Sequence, residues 1–276
     1  MKYFDFHTHA FADFLAPRAM KSLSASAKSP QTPDISPCTD GTLSGLKNLA
    51  QRRGISEFMI LPIATKPSQQ TPINKWAANI MGGGIYCCGS IHPDAADALE
   101  ELERIKSLGL IGVKFHSEYQ KFRPDEKRMM PIYQKISDLG LIAVFHGGWD
   151  PFGEGDVRAA PKSFANIAEL FPNMTIVAAH LGGMLLFDDV ERYIAGKFRN
   201  IYLDTGVVAN YIEDSQLLRI IKNHGTDRIL FASDAPWDDP ANEMAMLGRL
   251  SLSAEELEMI CFRNAENLIK STNQFI

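Results

Sequence analysis

The chain has 276 residues, of which 45% are hydrophobic and 22% are charged, and its formal net charge at pH 7 is −5. This composition is that of an ordinary folded protein, and it lacks the basic surface that binding to nucleic acid or to anionic membranes requires. No apolar run approaches the roughly 20 residues that span a bilayer. The four cysteines are not spaced as C-x-x-C, and no signal sequence precedes the first strand, so we expect reduced thiols and a cytoplasmic protein.

The chain opens with a short apolar strand over residues 1–10, M-K-Y-F-D-F-H-T-H-A. Side chains alternate along a strand, so His7 and His9 point to the same side and can bind one cation. Residues 11–40 are rich in Ser, Ala and Pro and show no sustained helical or strand period. This predicts a long surface loop, which is unusual unless it is a lid, a binding loop or disordered.

From residue 41 onwards, helical patterns alternate with short apolar strands. Further strands are predicted at 55–64, 85–91, 110–116, 141–146, 174–180, 201–205 and 228–233. Helices are predicted at 41–54, 67–81, 95–108, 125–139, 161–171, 184–195 and 211–224, with two or three more between 242 and 270. Eight β/α units favour an α/β fold, a (β/α)8 TIM barrel with an inserted loop after strand 1 and extra C-terminal helices, as a single domain over 1–276. An open doubly wound sheet is the alternative, although its G-x-G-x-x-G fingerprint is missing.

Ionisable side chains gather at the C-terminal ends of the predicted strands, which share one rim in a parallel barrel. They are His7, His9, His92, Lys114, His116, His146, His180 and Asp234. Active sites of TIM barrels are built on that rim. One strand-end histidine alone is more often a hydrogen-bonded structural residue than a ligand, but several imidazoles and a carboxylate in one half-buried mouth are unfavourable without a cation. Imidazole and carboxylate ligands suit Zn²⁺, with Mn²⁺ and Fe²⁺ as alternatives.

The motifs H-T-H, K-F-H, H-G-G, A-H-L-G-G and S-D-A-P-W, on strands one, four, five, six and eight, resemble those of the amidohydrolase superfamily, and N-A-E-N-L near the C terminus resembles its ending. The resemblance spans essentially the whole chain and is strongest to the amidohydrolase-2 group of TIM-barrel metal-dependent hydrolases and decarboxylases. It implies a set of metal ligands, namely His7, His9, His146 and Asp234. It also implies that Asp234 takes a proton from the metal-activated water and that His180 polarises the substrate carbonyl.

Lys114 leaves more than one interpretation open. In some superfamily members the lysine at this position of strand four is carboxylated and bridges two metal ions. The amidohydrolase-2 group favours one ion per chain, with Lys114 acting in catalysis or binding a substrate carboxylate. A structural lysine paired with Glu118 or Asp5 is equally open. His116, His92 and Trp237 are predicted to bind substrate, whereas Trp149 is expected to pack at the rim.

The first functional hypothesis is a metal-dependent hydrolase that acts on an amide, lactone or ester of a small, carboxylate-bearing substrate, since bound zinc lowers the pKa of its water toward about 7. The alternative is a lyase, a metal-dependent non-oxidative decarboxylase of an aromatic or unsaturated acid. A non-catalytic metal-containing barrel is the third hypothesis. The expected partner is a small-molecule substrate, without nucleic acid or membrane, and a homodimer is left open.

Overall fold

The structure, a computed structural model, describes residues 1–26, 36–151 and 157–273. Within these residues the strands are β1 (Phe4–Thr8), β2 (Glu57–Ile60), β3 (Ile85–Cys87), β4 (Gly112–Phe115), β5 (Ile142–Phe145), β6 (Ile176–Ala178), β7 (Ile201–Asp204) and β8 (Ile229–Leu230). The helices are α1 (Ala16–Ser26), α2 (Leu43–Arg53), α3 (Gln70–Ile80), α4 (Ala98–Ser107), α5 (Ser117–Gln120), α6 (Met130–Asp138), α7 (Pro161–Leu170), α8 (Phe187–Tyr193), α9 (Asp214–His224), α10 (Pro240–Arg249), α11 (Ala254–Glu258) and α12 (Asn264–Asn273). No helix in these three ranges has the length and apolar character needed to cross a membrane.

The strands pair in parallel and in chain order. β1 to β3 form one ladder and β4 to β8 form another. Isolated parallel bridges join the two ladders at both seams, Gly89 to Val113 and Thr8 to Ala235, and the Phe6 N–H donates to the Phe231 carbonyl at 2.9 Å. The sheet is therefore closed, which confirms the predicted (β/α)8 barrel and excludes the open doubly wound sheet.

Apolar residues on both faces of the strands explain the two layers of the core. One cluster joins strand residues such as Val113 and Phe145 to helix residues such as Leu102 of α4. The second contains alternate strand residues, including Val144 and Val177, which share one face of the sheet because side chains alternate along a strand. The helices cover the outside of the sheet, and the inside is filled with side chains.

The prediction of a loop over 11–40 is wrong for residues 16–26, which form α1; residues 27–35 lie outside the described part of the chain. Ala16 and Met20, one turn apart, are buried. Met20 packs over Gly41, where a Cβ would lie 2.6 Å from the Met20 Cγ. The helix therefore owes its position to a contact that is distant in sequence, which a local period cannot show. The predicted strands also extend beyond the observed ones, as for β2 and β8.

The four cysteines are free thiols, as predicted. Cys87 and Cys261 are buried, and burial raises the pKa of each to about 12. Thiolates are the reactive form of cysteine. These two residues therefore behave as small apolar side chains at neutral pH.

His224, at the end of α9, gives the fold a pH dependence that is independent of the site. Its Nε2–H donates to the Ile201 carbonyl at 2.9 Å, and burial lowers its pKa from 6.5 to about 4. Between these values the unfolded chain binds a proton that the folded chain does not, so stability is lost as the pH falls from 6.5 toward 4. The full effect corresponds to about 3 kcal/mol.

We therefore expect His224→Gln to flatten the pH dependence of the free energy of unfolding between pH 6.5 and about 4. Glutamine keeps an N–H donor for Ile201 but does not titrate in this range. Denaturant unfolding of both proteins across this range measures the effect. Parallel curves for the variant and the wild type would contradict the assignment.

Candidate active site

A cavity of about 990 Å³ lies at the end of the barrel where the strands terminate. It is lined by nearly all the residues predicted for the site, His7, His9, Lys114, His116, His146, His180, Asp234 and Trp237, and also by Trp149. The structure thus brings together side chains from β1, β4 and the segments that follow β1, β4, β5, β6 and β8.

His92 does not share this position: it is not among the described residues that line the cavity. β3 ends at Cys87, so residue 92 lies five positions beyond the strand. The His92 N–H donates to the Gln70 side chain at 3.2 Å, and its Nδ1 accepts from the Asp94 N–H at 3.2 Å. These contacts make it a turn residue, and the geometry gives the predicted role in substrate binding no support.

Three ligand atoms from the two ends of the chain meet in one place. His7 Nε2 and His9 Nε2 are 3.2 Å apart, and Asp234 Oδ1 lies 3.0 Å from the first and 2.9 Å from the second. Atoms held about 2.0–2.2 Å from one zinc ion are about 3–3.5 Å apart. Asp234 Oδ1 is buried and has no hydrogen-bond partner among the described residues, so its surroundings fit a metal ion.

The other ring nitrogen of each of these histidines is held by an acceptor. His7 Nδ1–H donates to Asp204 Oδ2 at 2.9 Å, and His9 Nδ1–H donates to the Leu61 carbonyl at 2.7 Å. Both Nε2 atoms therefore carry lone pairs that face Asp234. Orientation of a histidine through its second nitrogen is the usual support of a metal ligand.

His146 and His180 are arranged in the same way beside them. His180 Nδ1–H donates to the Gly206 carbonyl at 2.8 Å, and His146 Nε2–H donates to the Trp149 carbonyl at 3.3 Å. The remaining nitrogens, His180 Nε2 and His146 Nδ1, are 3.1 Å apart. The lone pairs of His7 and His9 thus face Asp234, and those of His146 and His180 face each other in the same cavity, an arrangement that is unfavourable without a cation. Among the described residues, the ligand atoms that lie within 4.8 Å of one another place His146 with His116 and Asp150, and not with His7, His9 and Asp234. The residues present fit a divalent metal ion.

The glycines of H-G-G allow the loops after β5 and β6 to touch. The Met184 N–H donates to the Gly147 carbonyl at 2.9 Å, and the Trp149 N–H donates to the Met184 carbonyl at 3.0 Å. A Cβ on Gly148 would lie 2.1 Å from the Met184 nitrogen, and φ there is +84°. Only glycine meets both conditions. This close approach keeps His146 and His180 side by side.

Backbone geometry outside the usual regions occurs at two of the site residues. His180 and Asp234 have φ values of 55° and 65°, which are uncommon for residues other than glycine and cluster at functional sites. The Asp234 N–H donates to the His7 carbonyl at 2.8 Å. Next to it, Ser233 donates from N–H and Oγ to the buried Asp5 carboxylate. These bonds fix the segment after β8 against β1.

Burial sets the protonation states. It lowers the pKa of His7 well below its ordinary value, and Lys114 adds to the effect. Burial and His116 lower that of His146 in the same way. Burial raises the pKa of Asp234, but His7 and His9 outweigh it and hold this pKa below its ordinary value. At neutral pH His7 and His146 are therefore neutral imidazoles and Asp234 is a carboxylate, the forms that bind a divalent ion.

Lys114 lies inside this cluster and is almost completely buried. Its Nζ is 3.1 Å from His7 Nε2, which accepts the hydrogen bond because His7 Nδ1 donates to Asp204. Burial lowers the pKa of Lys114, although Asp234 and Asp204 raise it. The lysine therefore adjoins a nitrogen that the resemblance assigns to the metal ion.

Two carboxylates at the site were not among the predicted residues. Asp204, the last residue of β7, orients His7 and accepts from the His180 and Gly206 N–H groups at 2.8 and 3.1 Å. Asp150 Oδ2 lies 2.9 Å from His116 Nε2. The signal for Asp204 was its place at the end of a predicted strand. For Asp150 the only signal in the sequence was its position two residues after H-G-G.

His116 stacks between two other rings. Its centroid is 3.7 Å from that of Tyr119 and 4.4 Å from that of His146. Together with His146 and Asp150 it forms one of three groups of ligand atoms close enough to share an ion among the described residues; the other two are His7, His9 and Asp234, and His7, His180 and Asp204. His146 Nε2 in that group already donates to Trp149, so the cluster around Asp234 is the better site for a metal ion.

Comparisons with known proteins agree with this fold. Among solved structures, the TIM-barrel protein Bb4693 from Bordetella bronchiseptica is 18% identical, with a TM-score of 0.77 over 99% of this chain and 100% of that one. 5-Carboxyvanillate decarboxylase LigW from Sphingomonas paucimobilis is 15% identical, with a TM-score of 0.71 over 98% and 99%. A Pseudomonas putida protein proposed to be a 2-pyrone-4,6-dicarboxylic acid hydrolase is 14% identical, with a TM-score of 0.65 over 98% and 97%. No match was found among curated proteins.

At these identities, the solved structures show a shared fold and no more. The family assignment rests instead on the sequence: the amidohydrolase family model Amidohydro_2 matches residues 5–270. That range includes His7, His9, His146 and His180, which are called the histidine cluster here, and also Lys114 and Asp234. The chain therefore belongs to the amidohydrolase family, a family of metal-dependent enzymes.

Proposed function

We propose that the protein is a metal-dependent hydrolase that acts on an amide, lactone or ester of a small substrate carrying a carboxylate. The observation that supports this most directly is the convergence of oriented imidazole nitrogens on Asp234 Oδ1. The residues that would hold the ion are His7, His9, His146 and Asp234, with Zn²⁺ favoured and Mn²⁺ or Fe²⁺ as alternatives. When bound, the ion supplies Lewis acidity, which lowers the pKa of water and polarises a carbonyl or carboxylate oxygen.

Asp234 is the proposed proton acceptor. Its pKa is held below the ordinary value, so the carboxylate is ionised throughout the neutral range. It can take a proton from the attacking water and pass it to the leaving group, the role of a general acid–base residue. The backbone at this position is left-handed, and Oδ1 lies 3.0 and 2.9 Å from the Nε2 atoms of His7 and His9.

The proposed role of His180 depends on which of its ring nitrogens carry a proton. Its Nδ1–H is committed to the Gly206 carbonyl, so a neutral His180 presents a lone pair at Nε2. It can stabilise an oxyanion only when Nε2 also carries a proton. We therefore propose that His180 polarises the substrate carbonyl, as expected, through a proton on Nε2.

Lys114 and His116 are the proposed carboxylate-binding groups. The hydrogen bond between Lys114 Nζ and His7 Nε2 uses the same lone pair that a metal ion would take. Binding of an ion would therefore release the lysine for a substrate carboxylate. Trp237 lines the cavity and is the aromatic side chain that we expect to flank a planar part of the substrate.

We expect one metal ion per chain. Asp234 Oδ1, which lies 3.0 and 2.9 Å from the Nε2 atoms of His7 and His9, supplies the position for one ion, and a second ion would require a carboxylated Lys114 to bridge the two. Metal analysis after dialysis against saturating zinc and bicarbonate measures the stoichiometry. Two ions per chain, falling to one without bicarbonate, would contradict this prediction and show that Lys114 is carboxylated.

The second candidate function is non-oxidative decarboxylation of an aromatic or unsaturated acid. The likeness in fold to 5-carboxyvanillate decarboxylase, over 98% of this chain, favours it. The same residues serve: Lys114 binds the carboxylate, the bond to that carboxylate breaks with release of carbon dioxide, and the remaining carbon takes up one solvent proton, which Asp234 relays. In both reactions Asp234 passes on a proton; the group that finally receives it, a leaving group or a carbon, is what differs.

Product analysis separates the two candidates. The metal-loaded protein is screened with carboxylated lactones, amides and esters and with aromatic acids, in water enriched in ¹⁸O. Hydrolysis places one labelled oxygen in the product, whereas decarboxylation releases carbon dioxide without consuming water. Activity of either kind should be lost with a chelator and return with the metal. Turnover of neither class by the metal-loaded protein would contradict the proposal.

A further inference from the structure

The cavity has an apolar outer wall that the proposed chemistry does not use. Leu15, Ala19 and Leu23 are spaced by four residues and form one stripe along α1 and the residue before it. Ile73 and Trp76, spaced by three, form a stripe on α3. These five residues, called the outer wall here, all line the cavity that contains the histidine cluster.

These stripes are separate from the faces that hold the two helices in the fold. α1 buries Ala16 and Met20, and α3 buries Asn74 and Ala77. Trp76 also packs against the core of the barrel. Leu15, Ala19, Leu23 and Ile73 are not among the described residues that do so, and packing of the barrel therefore does not explain them. Leu15 remains 46% exposed, and apolar surface that lines a pocket beside convergent polar groups is typical of a ligand site.

The size of the cavity indicates a ligand that reaches this wall. Its volume of about 990 Å³ lies at the upper end of the range of about 300–1,000 Å³ found for ligand pockets. It is about thirty times the share of volume of one water molecule. A single-ring acid placed at the histidine cluster would leave most of this space unfilled.

We propose that the substrate is an amphiphilic acid whose carboxylate lies near Lys114 and whose apolar chain or fused ring system lies against the outer wall. The position of the reacting group rests on the proposed function, whereas the outer wall indicates the class of substrate. The segment that carries Leu15, Ala19 and Leu23 would then determine specificity, since it belongs to the first β/α connection and lines the cavity.

Tryptophan fluorescence reports directly on this cavity. The chain has three tryptophans, and Trp76, Trp149 and Trp237 all line it. The experiment titrates the metal-loaded protein with butyrate, hexanoate, octanoate and decanoate as probes. We expect the dissociation constant to fall about fourfold for each added methylene, the value for complete burial. Equal affinity along the series would overturn the inference.

Substitutions in the outer wall test where the alkyl chain of the ligand binds. Leu23→Asn and Ile73→Asn are expected to weaken decanoate binding by about tenfold and to leave butyrate binding unchanged. Leu99→Asn is the matched control, because Leu99 is 40% exposed on α4 and is not among the described cavity residues. If both wall variants keep the wild-type dependence on chain length, the chain binds elsewhere and the inference is wrong.

Because these titrations measure binding without turnover, they are independent of the proposed reaction. A dependence on chain length in a protein that turns over no acid, ester, lactone or amide would support the amphiphilic ligand and refute the proposed function. Turnover together with a flat series would refute the amphiphilic ligand alone.

Discussion

Asp234→Asn is expected to lower kcat by about 10²- to 10⁴-fold while the fold and the metal content persist. Asparagine keeps an oxygen at the position of Oδ1, which lies 2.9–3.0 Å from the His7 and His9 Nε2 atoms, so the ion can still be held. The amide cannot accept a proton, and the step assigned to Asp234 is lost. Steady-state kinetics, metal analysis and a thermal melt of the same preparation measure the three quantities.

Asp188→Asn provides the matched control, since Asp188 is an exposed residue in the first turn of α8. It should retain the wild-type kcat. If Asp234→Asn also retained activity within about twofold, the proton acceptor would be another group. The hypothesis of a non-catalytic metal-containing barrel predicts a different result: neither the wild type nor Asp234→Asn turns over substrate, and both bind ligand equally.

Asp204→Asn is expected to weaken metal binding by about 10- to 100-fold, the usual effect of losing the partner that orients a ligand. The three groups that Asp204 binds, the His7 ring Nδ1–H and the N–H groups of His180 and Gly206, are all donors. An amide has one oxygen, so its NH₂ group must face at least one of these donors. Competition for zinc against a chromogenic chelator measures the affinity.

Asp227→Asn controls for the loss of one negative charge. Asp227 has a half-exposed side chain that pairs with Arg228 at 2.8 Å, and its substitution should leave zinc affinity unchanged. Equal zinc affinity for Asp204→Asn and the wild type would show that His7 does not need this partner to bind the metal.

The barrel could be predicted because its signal is local and repeated. Each strand is a short apolar run. In a run such as 141–146 the residues on both faces are mainly apolar, which predicts a strand that is buried on both sides. α1 could not be predicted from a local pattern. It buries few residues, Ala16 and Met20, and the residue against which Met20 packs, Gly41, lies well beyond the helix in the sequence. Serines at 22, 24 and 26 obscure what helical period there is.

The site could be predicted in part for a similar reason. His116 and His146 each directly follow the last residue of a strand, and parallel strands end on one rim, so position alone brings them together. The prediction was wrong to treat His92 in the same way, because β3 ends earlier than its apolar run does. Asp150 lies in a loop, and its contact with His116 depends on how that loop folds.

The tautomers of the histidines could not be predicted from the sequence. His9 is oriented by the Leu61 carbonyl, and His180 by the Gly206 carbonyl. Backbone carbonyls are present in every residue, so no residue type marks them in the sequence. Only the closed sheet places each of them beside the ring that it orients.

Anomalous diffraction at the zinc edge from crystals of the zinc-loaded protein tests the central claim most directly. We predict one peak per chain within about 2.3 Å of His7 Nε2, His9 Nε2 and Asp234 Oδ1, with His146 Nδ1 or His180 Nε2 as the next nearest nitrogen. Zinc bound only between His116 and Asp150, or only at the surface, would contradict the account.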